Sequence, residues 1–236
     1  MTDDTGTILP VGVTLNTLPD GKQPARQRFT GSSVSIEPID PSRHGDDLYT
    51  AACGPDGDPS NQMWTYMSFG PFADKDDFRA WLAPQGASED PLVFALIESI
   101  TGKACGMASY LRITPQWATC EIGSIWYAPS LKRSRAATEA MYLMARHVFE
   151  DLGYRRYEWK CDSHNAASRR AALRLGFSYE GLFRQHMIYK GRNRDTAWFA
   201  MTDQDWPAVK SAFEAWLADD NFRADGSQVR GLAELR

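Results

Sequence analysis

Six consecutive residues, Ser130 to Arg135, hold three cations, Lys132, Arg133 and Arg135, directly ahead of a run whose apolar members recur at helical spacing. That run, Ala137, Ala140, Met141, Met144, Ala145 and Val148, begins from Ala136 and ends where Gly153 can cap it. Unpaired N–H groups and the positive end of the dipole gather at a helix start. Charge and geometry therefore both favour an anion there, and a pyrophosphate is the natural guest. The competing reading is a solvated surface run. Ahead of the turn, Thr119 to Tyr127 alternates as a strand, and Pro129 closes it. Simple alternation puts Cys120, Ile122 and Trp126 on one face, with Glu121, Gly123, Ile125 and Tyr127 on the other. Downstream, Asn165-Ala166-Ala167-Ser168 opens a second helix that Gly176 stops, with Asn165 placed as its cap. His147, His164 and His186 lack partners by spacing. Cys53, Cys105, Cys120 and Cys161 lie far apart without a CxxC pair and read as buried free thiols, so no metal is expected.

Bringing these pieces together requires a sheet. Val34 to Ile39 alternates as a first strand, and a helix from Ser42 to Ala52, begun by Pro41-Ser42, follows. After the loop GPDGDPSNQ comes an aromatic segment, Met63 to Phe72, that serves either core packing or a substrate wall. A short helix spans Asp74 to Leu82, and strands at Pro91–Ile97 and Ala104–Ile113 form a hairpin over Gly102-Lys103. Arg156 to Cys161 is the next strand. Reached through the long helix, it lies parallel to Thr119–Tyr127 as a right-handed crossover. Phe177–Tyr179 with Leu182–Tyr189, then Thr196–Met201, complete an α+β arrangement: one mostly antiparallel sheet with a parallel pair in its middle. Asp203 to Leu217 is an amphipathic helix with Trp206, Val209, Phe213, Trp216 and Leu217 on its apolar side, and NFRADGSQVRGLAELR reads as a loose tail.

A length of 236 residues with 43% hydrophobic content fits one domain, 32–202, between an extension, 1–31, that wraps the surface or stays mobile and the C-terminal helix and tail, 203–236. The net charge of −4 argues against a nucleic-acid binder. No apolar run approaches the roughly 18 residues of a membrane span. The acidic start MTDDTG lacks the regions of a signal peptide, and a cytoplasmic location is expected.

The stretches EIGSIWYAPSLKRSRAATEA, NAASRRAALRLGFSYEG and DTAWFAMT resemble the GNAT superfamily of acyl-CoA-dependent N-acetyltransferases, in particular its ribosomal-protein N-terminal acetyltransferase branch. Asn165-x-x-Ser168 followed by Leu175-Gly176-Phe177-x-x-Glu180-Gly181 is the strongest piece. The resemblance implies the GNAT fold, a twisted mixed sheet whose central parallel strands splay, flanked by helices. It implies acetyl-CoA as co-substrate, with no metal, and transfer of the acetyl group to a small-molecule or peptide amine in a ternary complex. It further implies a monomer or homodimer without membrane or nucleic-acid partners. Cofactor binding falls to Ile125, Trp126 and Tyr127 by main chain, to Lys132, Arg133, Ser134, Arg135, Ala136 and Ala137 at the pyrophosphate, and to Asn165 and Ser168 near the pantetheine and thiol. Glu121 takes the place of the base and Ser168 that of the hydroxyl serving the leaving thiolate. The bland readings are a surface carboxylate for Glu121, a helix cap for Asn165 and a backbone contact for Ser168. Tyr127 and Tyr179 read first as core aromatics. One departure stands out: Arg133 and Arg135 occupy positions where that branch often has glycines. A GNAT-fold module that binds acyl-CoA without turnover is the alternative function.

Overall fold

Strand patterning and helix caps assemble as the periodicities require. In a computed structural model, which describes residues 9–54, 57 and 59–236, the strands are β1 (Phe29–Thr30), β2 (Val34–Pro38), β3 (Leu92–Glu98), β4 (Ala104–Thr114), β5 (Thr119–Tyr127), β6 (Arg156–Asp162), β7 (Ser178–Tyr189) and β8 (Arg192–Thr202). Expectations for residues 1–8 and for positions 55, 56 and 58 of the GPDGDPSNQ loop lie outside the described residues. The strands form one sheet in the order β1-β2-β3-β4-β5-β6-β8-β7, parallel only between β5 and β6. The helices are α1 (Pro41–Cys53), α2 (Lys75–Leu82), α3 (Arg135–Arg146), α4 (Ala166–Arg174) and α5 (Trp206–Leu217). The cap of α1 is Asp40, whose carboxylate accepts from the N–H groups of Ser42 and Arg43, and Asp74 caps α2 in the same way.

Two apolar layers sandwich the sheet. On one side α3 and α5 pack Met144, Trp206 and Phe213 against Ile36, Phe94, Tyr110 and Phe199. On the other, Leu48, Trp64, Phe78 and Leu82 of α1, α2 and their connection cover Val93, Ala95 and Met107. Gly176 ends α4 at φ +102°, where an added Cβ would meet Val209 Cγ2 at 2.8 Å, so only glycine lets α5 approach.

Two expectations are corrected, and for the described part of the extension one of two open alternatives, wrapping the surface, is the one seen. The C-terminal segment is not loose: Leu232 is 2% exposed, Asn221 donates to the carbonyls of Trp216 and Arg230, and Arg236 reaches Leu173 O at 2.9 Å. The extension contributes β1 to the sheet edge, and Lys22 N donates to Leu152 O at 3.0 Å. The histidines do have partners. Past Arg146 the helix widens into a π turn, His147–Asp151, which sets His147 Nδ1 2.9 Å from Asp151 Oδ2; His164 meets Asp162 and His186 meets Thr196. Asp151 stands at i+4 from His147 and Asp162 two residues before His164, so those two partners were local in sequence; only Thr196, across the β7–β8 hairpin, leaves no mark in residue spacing.

Candidate active site

β5 and β6 pair only at Thr119↔Arg156, Cys120↔Tyr157, Glu121↔Glu158 and Ile122↔Trp159. Beyond Ile122 they diverge, and the cause lies on the other side of β5. Met107 of β4 opposes Trp126 while Ser109 opposes Gly123, so β5 carries one residue more than β4, and Ser124 sits within the surplus at φ +50°. Such a bulge bends its strand. The sheet therefore opens as a V, and among the described residues the edge of Ile125, Trp126 and Tyr127 that faces β6 has no strand partner. The same bulge corrects the simple alternation, because an extra residue inverts every side chain beyond it. Ile125 and Tyr127 pack on the α3 side with Cys120 and Ile122, whereas Trp126 joins the α1–α2 side. Burial pushes the Tyr127 phenol up, with Arg174 opposing.

At the open end of the V stands the basic turn. Ser134 caps α3, its Oγ accepting from Ala137 N at 3.0 Å. The N–H groups of Arg133, Arg135 and Ala136 meet no protein acceptor among the described residues. Arg133 adopts φ +61°, so the left-handed conformation that glycine usually supplies is present without glycine, at a cost of about 1 kcal/mol. Lys132 and Arg133 are exposed. Arg135 is drawn elsewhere: its guanidinium bonds Leu217 O, lies 2.8 Å from Asp219 Oδ1 and covers the Phe222 ring at 4.6 Å. The ordered C-terminal segment thus claims a cation that spacing alone assigned to the turn. Arg174 of α4, unforeseen in the sequence, reaches the first turn of α3 through Thr138 Oγ1 at 3.2 Å. Free N–H groups, two exposed cations and an unpaired strand edge leading to them fit a diphosphate-bearing chain.

The apex of the V holds a buried charge cluster on the α1–α2 side. Glu121 is 5% exposed; its Oε2 engages Arg112 and, at 3.1 Å, Lys160 Nζ. Lys160 also reaches Glu158 Oε2 at 2.6 Å and lies 3.8 Å over the Trp198 ring. Gly123 keeps the space beside Glu121 clear, since a Cβ there would come within 3.1 Å of Oε1. Walls rise around this point. Phe183 packs on Trp198 with centroids 4.5 Å apart, Lys190 of the β7–β8 turn donates to Trp64 O and Phe69 O, and Tyr66 donates to His164 O. Trp64 itself is fully buried against Phe72 and Trp126, so that part of the aromatic segment is core while Tyr66 remains part-exposed. Residue type and spacing do not single out Arg112, Lys160 or Trp198. The alternation of Glu158 and Lys160 was visible, but the register that sets them beside Glu121 was not.

Across the sheet, Asn165 Oδ1 accepts from Ser168 N at 3.0 Å, the cap its type suggested. Ser168 Oγ accepts from the Trp159 indole at 2.9 Å; the Cys161 thiol nearby is pushed up by burial and lowered in part by the Ser168 hydroxyl. That hydroxyl therefore serves a side chain, not the backbone. Ser168→Ala would orphan the N–H of a Trp159 that is 6% exposed, and a loss of about 1–3 kcal/mol in chemical denaturation is expected. Asn165→Ala should lose about 1 kcal/mol through the missing cap. Unchanged stability of Ser168→Ala would show that water replaces the hydroxyl.

Residues 36–178 match a family model described as an acetyltransferase (GNAT) domain. A solved GCN5-related N-acetyltransferase from Brucella melitensis is 46% identical with a TM-score of 0.89, over 93% of this chain and 98% of that one. The putative ribosomal N-acetyltransferase YdaF of Bacillus subtilis is 27% identical over 109 residues, 46% of this chain and 59% of its own. The ribosomal-protein-serine acetyltransferase of Escherichia coli is 34% identical over 80 residues, 34% of this chain and 44% of its own. The chain thus spans about half the length of the curated relatives it matches.

Proposed function

This chain belongs to the GNAT acetyltransferase family, and we infer that it is an acetyl-CoA-dependent N-acetyltransferase acting on a primary amine, a protein N-terminus or a small amine, by direct attack in a ternary complex. One observation carries the reading: the opened β5–β6 edge runs from a buried carboxylate at the apex to exposed cations at the start of α3. Acetyl-CoA supplies an activated acyl group whose sulfur is a good leaving atom. The free N–H groups of the turn, with Lys132 and Arg133, hold the diphosphate, and the main chain of Ile125 to Tyr127 receives the extended arm by hydrogen bonds of the kind a neighbouring strand would make. Glu121 takes the proton that the amine must lose as it attacks, directly or through a water beside Gly123. Ser168, at the first turn of α4, offers its hydroxyl to the departing sulfur. On this reading the transferase unit is 32–202, to which β1 and the C-terminal segment are added.

The non-catalytic alternative rested on the missing glycines of the turn, and the φ of Arg133 weakens it. Titration of acetyl-CoA by calorimetry, followed by thiol release over a panel of α-amino peptides, lysine derivatives and polyamines, tests the reading. Binding with acceptor-dependent thiol release is expected. Binding without release from any acceptor would favour the silent module, and no binding would overturn both.

A further inference from the structure

In the parallel register Glu121 stands directly opposite Glu158, and their side chains are only 7% and 16% exposed. Like charges so placed repel, and little water is present to screen them. Among the described residues a single buried cation touches both. Lys160 Nζ lies 3.1 Å from Glu121 Oε2 and 2.6 Å from Glu158 Oε2, with its side chain 3% exposed and the Trp198 ring 3.8 Å away. The other charges facing the pair come from every neighbouring strand. Arg112 of β4 bonds Glu121, and its main-chain N–H is held by Asp90. Arg156 of β6 divides itself between Glu158 and Glu180 of β7. His186 of β7, near Arg112, Arg194 and Lys160, bonds Thr196. Arg112 is 51% and Arg156 28% exposed, and each contacts just one of the two facing carboxylates. Burial pushes the Glu158 carboxyl up, yet Lys160 and Arg156 outweigh burial and hold it below its ordinary range.

We propose that Lys160 is a positioning residue for acetyl transfer, the bridge that lets Glu121 and Glu158 stand charged side by side and fixes Glu121 at the apex of the V. The proposal rests on Glu121 being the base. Without the bridge, two facing carboxylates in a dry site share a proton, and the pair titrates as a unit at higher pH. A protonated Glu121 cannot accept the proton of the amine.

The test is the pH profile of kcat, measured with one saturating acceptor for all variants. In Lys160→Met the acid limb should move up by about one to three pH units, with activity recovering at high pH and Lys160→Arg returning the limb toward its original place. Glu158→Gln should move the limb the other way, since Lys160 then serves Glu121 alone; this variant keeps the buried cation paired and decides the matter if Lys160→Met does not fold. An acid limb that stays in place in both, whatever the drop in kcat, overturns the proposal and makes Lys160 merely structural. Glu121→Gln separates the two inferences. If it keeps the parent rate and limb, the base assignment has failed; if it loses both while the other limbs stay put, only the role of Lys160 has failed.

Discussion

Glu121→Gln is expected to lower turnover at neutral pH by about 10²- to 10⁴-fold while leaving acetyl-CoA affinity nearly unchanged, since general-base assistance is typically of that size. The substitution keeps the shape of the side chain and an oxygen for Arg112 or Lys160, and Glu158 remains to balance Lys160. What it removes is the capacity to take up a proton. Affinity should hold because Glu121 sits on the α1–α2 side at the apex, whereas the cations meant for the diphosphate stand past the far end of β5. Thiol release gives the rate, calorimetry the affinity, and a melting curve shows that the fold survives. Parent turnover at neutral pH in this variant, beside a crippled turn variant, would move the base elsewhere. Tyr127 would not replace it easily, since burial raises its phenol and keeps it in the protonated form, which has no proton-accepting phenolate to offer.

The second large effect is expected at the turn. Removing Lys132 and Arg133 together, as Lys132→Ala with Arg133→Gly, should weaken acetyl-CoA binding about tenfold or more for each cation, as charge-assisted bonds to phosphate contribute roughly 1.5–3 kcal/mol apiece. Glycine is the informative choice at 133. It accepts φ +61° without strain, so the variant loses charge while the backbone cradle stays intact. The loss should shrink as salt rises. Arg135→Ala provides the contrast. With its guanidinium committed to Leu217 O, Asp219 and Phe222, it should lower the melting temperature more than the affinity. A dissociation constant unchanged at low salt in the double variant would remove the turn from the binding site.

The sequence determined the elements and their order. Period-two alternation marked Thr119–Tyr127 and Arg156–Cys161, helical spacing marked the run from Ala136, and Asn165 and Gly176 bounded α4, because these signals are local and each residue type has a backbone reason to be where it is. The length of the connection between β5 and β6 was enough to make them parallel. Three things were decided by tertiary structure. One residue of surplus against β4 bulged β5 at Ser124, opened the V and sent Trp126 to the face opposite the one alternation gave it, since register is a property of two strands and not of one. Packing of the C-terminal segment drew Arg135 out of the turn, while surrounding contacts held Arg133 in a conformation its side chain disfavours. And the pairing of β5 with β6 set Glu121 against Glu158 with Lys160 between them, three residues whose types were plain in the sequence but whose charges act together only because the fold buries them within bonding distance.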